Sequence, residues 1–533
     1  MATTVGRVPL RLRIGVTGHR IIPDEDAIAA RVDDVLVRLR DLLPRQLSTP
    51  VLLEVVSPLG EGADRIVAER VLEIPDSILE VPLPLAADDY ERDFESPASR
   101  ERFRALLARA ERVWVVGGAD RIDEAQRGSD RVDAYGEAGA YVVDSCDLLI
   151  AVWDGMPPRG PGGTADMVNR AAHQAMPVFL VGAHDPFDVQ DPVVPVAPNL
   201  IPEIEGFNDA PLPQASVGPN ATAPADSPPS EETARLDACL GWTEPHRRRA
   251  ARIAQRARRR FTWGSRGLFL LSAFAILAVS LSVTSGDDAV KRSFAYLEVA
   301  LIAAALALWL LVRHGFHGRW IAARFLAERT RSAGFLAFAG ERNGIGSTPE
   351  GDRRRRGEAS QEWINRVCRE IWRSRPRIDD ADRPVDEVQA LLVDGWVSPQ
   401  LAYYERRAKD HLLASRLLIV AGAVLFAGTL VAATLHAAEL MHGGVEDAVV
   451  VLSIALPAFA GALAGIAGLE LHARHAARFR LMARRLGDLT DRLAWANDLN
   501  RVRELARSVE NELRTEGEAW IDVMRSHDVE LPS

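Results

Sequence analysis

Three turns in the first third of this 533-residue chain combine glycine, charge and the start of a helix. The first is Thr17-Gly18-His19-Arg20. The second is Pro58-Leu59-Gly60-Glu61-Gly62-Ala63-Asp64-Arg65. The third runs Asp154-Gly155 and then Gly160-Pro161-Gly162-Gly163-Thr164-Ala165-Asp166. Glycine lets a backbone approach a ligand closely, and a helix N-terminus favours a phosphate. Arg20 and Arg65 could neutralise phosphate charge. Asp154 and Asp166 could accept ribose hydroxyls. Each residue also has a plain structural reading: surface salt bridges, helix capping, and a turn-stabilising donor in the case of His19. Three such turns on one sheet edge favour binding over chance. The expected ligand contacts are therefore Gly18, His19, Arg20, Gly60, Glu61, Gly62, Asp64, Arg65, Asp154, Gly162, Gly163 and Thr164. Two familiar nucleotide motifs are missing. Gly15-Val16-Thr17-Gly18 does not complete GxGxxG, and there is no GxxxxGK[ST], which disfavours hydride-transfer enzymes and P-loop ATPases. The acidic run Asp88–Phe94 suits either a substrate or cation contact or a solvated turn.

The elements that must carry these turns alternate in type. Leu10–Thr17, Val51–Ser57, Ile78–Leu83, Val113–Val116, Leu148–Trp153 and Val178–Val181 read as strands. Asp24–Leu43, Ala63–Leu72, Ser99–Ala110, Gly136–Ser145 and Ala165–Ala175 read as helices. Such alternation predicts an α/β domain, Rossmann-like, with a parallel sheet and helices on both faces. In such sheets the ligand lies beyond the carboxyl ends of the strands. All three turns follow strand ends.

The rest of the chain has a different character. Gly267–Gly286, Ser293–Val312, Leu417–Ala438 and Ala448–Leu469 are apolar stretches long enough to cross a bilayer as helices. Glu298 is the single carboxylate inside them; it suits either snorkelling or a pore wall. An all-α membrane region of four transmembrane helices in two hairpins is predicted. Arginines fence both pairs, with Arg247, Arg248, Arg249, Arg252, Arg256, Arg258, Arg259, Arg260 and Arg266 before the first span. The connector after the third span carries Glu439, Glu446 and Asp447 and no Lys or Arg. By the positive-inside rule, both termini and the N-terminal domain lie in the cytoplasm of a multi-pass cell (inner) membrane protein. The arginine density suits anionic headgroups better than nucleic acid, and the net charge of the chain is −10. Cys146, Cys239 and Cys368 form no CxxC pair, so neither a disulfide scaffold nor a metal site is expected. No cleavable signal is read at the N-terminus. Asn220-Ala221-Thr222 matches a glycosylation sequon on the side predicted to be cytoplasmic. Gly461 and Gly465 form a GxxxG that suits helix packing, within one chain or in a homo-oligomer. Leu486, Leu489, Leu493, Val502, Leu505 and Val509 repeat at helical spacing and suit either a bundle or a helix folded onto its own domain.

The motifs IGVTGHR (Ile14–Arg20), SPLGEGADR (Ser57–Arg65), DLLIAVWDG (Asp147–Gly155) and GGTAD (Gly162–Asp166) resemble the SLOG superfamily. That group holds Rossmann-like domains related to the LOG phosphoribohydrolases and DprA proteins. The resemblance implies a nucleotide-type ligand and no further cofactor. Enzymatic members use a PGGxGTxxE motif with a catalytic glutamate. Here the spacing after Pro161-Gly162-Gly163-Thr164 is shorter, and no glutamate stands at the matching place. An N-glycosidase of phosphoribohydrolase or deoxyribosyltransferase type is the alternative, with Glu61 and Asp166 as its catalytic candidates. The paired spans with long flanking helices resemble the SLATT two-transmembrane domains, here duplicated. Arg324-Phe325-Leu326-Ala327-Glu328-Arg329 mirrors Arg480-Leu481-Met482-Ala483-Arg484-Arg485. The implied organisation is a SLOG-like domain (1–184), a Pro/Ala/Asp-rich linker (185–243), one two-span unit (244–340), a hydrophilic connector (341–395) and a second two-span unit (396–533). Together the resemblances imply a nucleotide-sensing, membrane-perturbing or pore-forming effector in prokaryotic defence. Its partners would be the lipid bilayer and a small nucleotide-type ligand, with no nucleic acid.

Overall fold

The computed structural model describes residues 7–44, 49–116, 129–157, 162–183, 189–198, 200–212, 230–313, 316–341, 359–379, 383–439 and 444–525. The sequon at Asn220 and the turn residues Gly160 and Pro161 lie outside them. The chain forms two compact units. One is Met1–Pro211 with Ile345–Arg373; the other is Leu212–Gly344 with Ser374–Ser533.

The first unit is an α/β fold. Its elements are β1 (Leu10–Gly18), α1 (Glu25–Leu42), β2 (Val51–Val56), α2 (Ala63–Leu72), β3 (Ile78–Leu83), α3 (Ala87–Tyr90), α4 (Pro97–Arg109), β4 (Arg112–Val115), α5 (Ser129–Ser145), β5 (Leu148–Trp153), α6 (Thr164–His173), β6 (Val178–Gly182), β7 (Val189–Gln190) and α7 (Leu200–Asn208). The strands order as β4-β3-β2-β1-β5-β6-β7. The first six are parallel, as predicted, and β7 pairs antiparallel with β6. Two residues are too few to show a period, which is why β7 escapes a sequence reading. Leu10, Leu12, Ile14 and Val16 of β1 and Leu148 to Val152 of β5 are buried, the run expected of strands covered on both faces. Local chemistry starts the helices: the Asp24 side chain accepts from the Ala27 N–H at 2.9 Å, and Ser96 does the same for Ser99 at 3.0 Å.

Among the described residues, three helices form in stretches that read as linker and connector, the last of them Val385–Leu392, and the long helix Glu231–Thr284 also begins inside the expected linker. In α7, Leu200, Ile201, Ile204 and Phe207 are buried, and Asn208 bonds both backbone groups of Val8. The Pro-rich surroundings obscure so short a helix. The second, α11 (Ala359–Arg373), lies between the two hairpins in sequence yet belongs to the α/β unit. Its buried side chains Ile364, Val367, Cys368 and Ile371 follow helical spacing. Its arginines meet carboxylates of the sheet. Arg366 grips Asp147 with two hydrogen bonds of 2.6 and 2.8 Å, and Arg373 lies 3.0 Å from Glu54. Glu54 on β2 and Glu80 on β3 are both buried, as is Arg13 on β1, which lies 2.9 Å from Glu54 and 2.8 Å from Glu80. Burial alone would raise the Glu54 carboxyl. Arg13 and Arg373 outweigh it and hold Glu54 well below the usual carboxylate range. Burial and the neighbouring Glu54 push Glu80 the other way.

The second unit is helical. Its elements are α8 (Glu231–Thr284), α9 (Asp288–Arg313), α10 (Phe316–Phe338), α12 (Val385–Leu392), a wide turn Val393–Val397, α13 (Ser398–Ala437), α14 (Gly444–Glu470), α15 (His472–Ala494) and α16 (Leu499–Arg525). Four helices, α8, α9, α13 and α14, carry segments long and apolar enough to cross a membrane. In α8 and α14, 28% and 33% of the apolar window is buried, against 6% in α9 and in α13. So α8 and α14 pack at the centre while α9 and α13 present Ile302, Leu306, Leu417 and Val424 outward. Phe274 meets Phe459 edge-on at 5.2 Å. Gly465 accommodates Phe269, whose ring lies 2.4 Å from where a Cβ would stand, whereas Gly461 faces open space. One glycine of the GxxxG thus serves packing within the chain. Leu486, Leu489, Leu493, Val502, Leu505 and Val509 are buried in the α15/α16 pair, which folds onto α10. Phe335 stacks on Trp396 of the wide turn at 5.3 Å, and Arg383 closes a buried ion pair with Glu232 at 2.6 Å.

Candidate functional site

A cavity of about 520 Å³ opens at the carboxyl ends of β1, β2 and β5. Here the chain crosses from β1 to β2 on one side and β5 takes the other, which is the switch point of an open α/β sheet. Gly18, His19, Arg20, Gly60, Glu61, Asp64, Asp154, Gly162, Gly163 and Thr164 all line it. The turns are locked to one another by backbone contacts. The His19 N–H donates to Val152 O at 3.2 Å, and the Ala63 N–H donates to His19 O at 3.1 Å. A side chain at Gly62 would stand 2.4 Å from the carbonyl oxygens of both His19 and Arg20, and its φ is +76°. Gly62 therefore serves the junction between two turns and is not in the cavity wall.

Two turns share one device. The Gly60 N–H donates to Asp64 Oδ2 at 3.1 Å, and the Gly162 N–H donates to Asp166 Oδ2 at 3.1 Å. In each, a carboxylate in the first helical turn holds the glycine loop. Asp64 lines the cavity as well, whereas Asp166 does not. Arg65 is also elsewhere. Its guanidinium donates to Leu59 O at 3.0 Å and to Ser99 O at 2.8 Å, and stacks on Phe94 at 4.3 Å. Arg65 is a buried brace for the loop, because 2% exposure leaves it no reach to a ligand. Leu59, which it braces, has a left-handed φ of 60°.

Arg20 is the arginine at the cavity, placed over the Tyr135 ring at 4.9 Å. His19 Nε2 lies 3.4 Å from Asp154 Oδ2, while Asp154 Oδ1 accepts from the Met156 N–H at 3.0 Å. Glu61 accepts a hydrogen bond from Ser99. In the acidic run, Asp89 and Asp93 pair with Arg131 at 2.9 and 2.8 Å, and Asp93 also accepts from Tyr135. Tyr90, Tyr135, Trp153 and Met156 also line the cavity. No spacing marks these four in the sequence, since each enters from a different element. Among the described residues the wall thus offers aromatic faces, backbone N–H groups at the start of α6, one arginine and several carboxylates.

Burial pushes the Asp64 carboxyl up to about 7, with the Gly60 N–H, Arg20 and Arg65 pulling the other way. The folded value lies above the unfolded one, so the folded chain binds more protons between them. Ionised Asp64 therefore works against the fold, increasingly as pH rises from about 4 to about 7, and constantly above that. Asp64→Asn keeps an acceptor for Gly60 and removes the charge. Amide exchange in the 57–65 turn is expected to be slower in Asp64→Asn than in the parent chain at about pH 8, and equal at about pH 4. Superimposable exchange profiles at about pH 8 would show that Asp64 carries no buried charge there.

None of the curated proteins matches this chain. Residues 393–520, which run from the wide turn through α13, α14 and α15 into α16, match the family described as SMODS and SLOG-associating 2TM effector domain 1. With four helices fit to cross a bilayer, the chain reads as a membrane protein whose second hairpin is similar to a two-transmembrane effector domain.

Proposed function

We propose that this chain is a membrane effector. Its α/β unit, SLOG-like, senses a nucleotide or nucleotide-derived ligand, and its helical unit perturbs or opens the bilayer, in a prokaryotic conflict system. The observation that carries the reading is the path of the chain. The connector between the two hairpins supplies α11 to the sheet that bears the cavity. The α/β unit is therefore tied covalently to both hairpins, and a change in its shape pulls on both. The family match of the second hairpin supports the effector half. The arginine fences support placing the cavity on the cytoplasmic side. Gating requires that the ligand bind one state of the chain more tightly than the other.

The test begins with mass spectrometry of small molecules co-purifying with the full chain. Reconstituted in liposomes, the parent chain is expected to leak on addition of that molecule. Arg20→Ala removes the arginine that lines the cavity among the described residues and is expected to weaken binding about tenfold or more, with leakage falling in step. Leakage that persists unchanged in Arg20→Ala and Gly163→Glu would sink the reading.

A glycosidase reading rests on the Glu61 carboxylate in the cavity wall. Base released from a nucleotide or NAD by the parent chain, and lost in Glu61→Gln, would favour it over sensing alone.

A further inference from the structure

The helical unit contains a second cavity, of about 430 Å³, that the effector reading does not use. It is assembled from both halves of the apparent duplication. Helices α8 and α10 of the first half contribute Arg258, Arg266 and Arg324; α13 and α15 of the second contribute Arg407, His411, His472 and His475. Four guanidinium groups face two carboxylates in its lining, Glu328 and Asp410. The arginines come from three helices, α8, α10 and α13, and although Arg407 pairs with Asp410 at 3.9 Å the lining carries more guanidinium than carboxylate groups. The walls are built. Arg324 stacks on the Trp520 ring at 4.5 Å, and Phe261 stacks on Trp320 at 5.9 Å. His411 and His472 hydrogen-bond to each other through their Nδ1 atoms at 2.8 Å. His475 lines the cavity at 7% exposure, and its buried Nδ1 has no hydrogen-bond partner. A buried polar group left without a partner costs stability and points to a missing occupant.

The cavity also has a definite place along the helices. Arg266 immediately precedes the first apolar span, His411 lies shortly before the third, and His472 shortly follows the fourth. The lining therefore sits where these spans emerge from the bilayer, at headgroup level. No trio of His, Cys, Asp or Glu among the described residues converges as metal ligands, so the histidines do not form a cation site.

We propose that this cavity binds a phosphate-bearing anion, which joins the two hairpins by bridging the arginines of one half to those of the other. An anionic lipid headgroup and a soluble phosphate share that chemistry, and the experiment separates them. The full chain in a neutral, zwitterionic detergent is titrated with short-chain phosphatidylglycerol, with short-chain phosphatidylcholine and with inorganic pyrophosphate. Binding is followed by tryptophan fluorescence, since Trp320 and Trp520 line the cavity. Saturable binding of phosphatidylglycerol but not phosphatidylcholine supports a headgroup site. Saturable binding of pyrophosphate supports a soluble anion. In either case the double variant Arg258→Gln/Arg407→Gln is expected to weaken binding about tenfold or more. Arg407→Gln alone, at a side chain 41% exposed whose partners are Asp410 at 3.9 Å and the Tyr403 ring, is the milder variant and is expected to weaken binding several-fold. The proposal is overturned if neither anion binds saturably, if both variants bind as the parent does, or if zinc alone saturates the signal. The readout needs neither the ligand of the α/β unit nor leakage, so its failure is distinct from failure of the sensing reading.

Discussion

Arg13→Ala is expected to destabilise the α/β unit by about 3–5 kcal/mol, the usual cost of removing one partner from a buried charge cluster. Arg13 is 2% exposed and lies between Glu54 and Glu80 on adjacent strands. Without it, two buried carboxylates face each other with Arg373 3.0 Å from Glu54 and Arg112 3.4 Å from Glu80 as remaining partners. Arg373 belongs to α11, so the loss would be felt both in the sheet and in the helix that joins the hairpins. Hydrogen exchange on the detergent-solubilised full chain would read it as faster exchange of β1, β2 and α11 amides. Adding Glu54→Gln removes one stranded charge and is expected to recover part of the loss. Unchanged protection in Arg13→Ala would show that water or a rearranged Arg373 replaces the guanidinium.

Gly18→Ala is expected to cost about 2–3 kcal/mol and to abolish ligand retention in the first cavity. The added Cβ would stand 2.4 Å from Ala63 Cβ and 2.9 Å from both Val152 Cβ and Val152 O. None of these is the end of a flexible side chain. Relief requires β1, β5 or the start of α2 to move, and all three carry the cavity wall. Gly155→Ala is the contrast. Its φ is +76°, but nothing lies within 4 Å of the added atom, so only the left-handed penalty of about 1 kcal/mol applies. Thermal unfolding of the two variants in the same detergent should separate them clearly. Equal shifts would mean that the junction at Gly18 is looser than its contacts indicate.

Much of the fold is legible along the chain. The six parallel strands, the helices between them and the four apolar helices follow from local pattern, because burial on both faces of a sheet or within a bilayer demands long apolar runs. The three glycine turns are equally legible, since turn chemistry is local. Most of their residues come together at one cavity for the same reason: in a parallel sheet every strand-to-helix turn of this kind falls at one edge.

The sequence by itself therefore determined the class of each unit, the four apolar helices and the sheet edge at which the three turns gather. Which way each side chain turns at that edge was decided only by tertiary structure. Arg20 and Arg65 are the same residue type after comparable turns, yet Arg65 packs inward against Phe94 and Ser99 while Arg20 reaches the cavity. Tertiary structure also decided the partners of Arg13, Asp147 and Glu54. A charge such as Glu54 inside a strand reads as an edge or a surface until Arg373 of α11, 319 residues on in the sequence, supplies its counter-charge. The second cavity has the same origin. Its arginines were visible as fences around the spans, but whether they face lipid or one another depends on how four helices pack, and no local period records that.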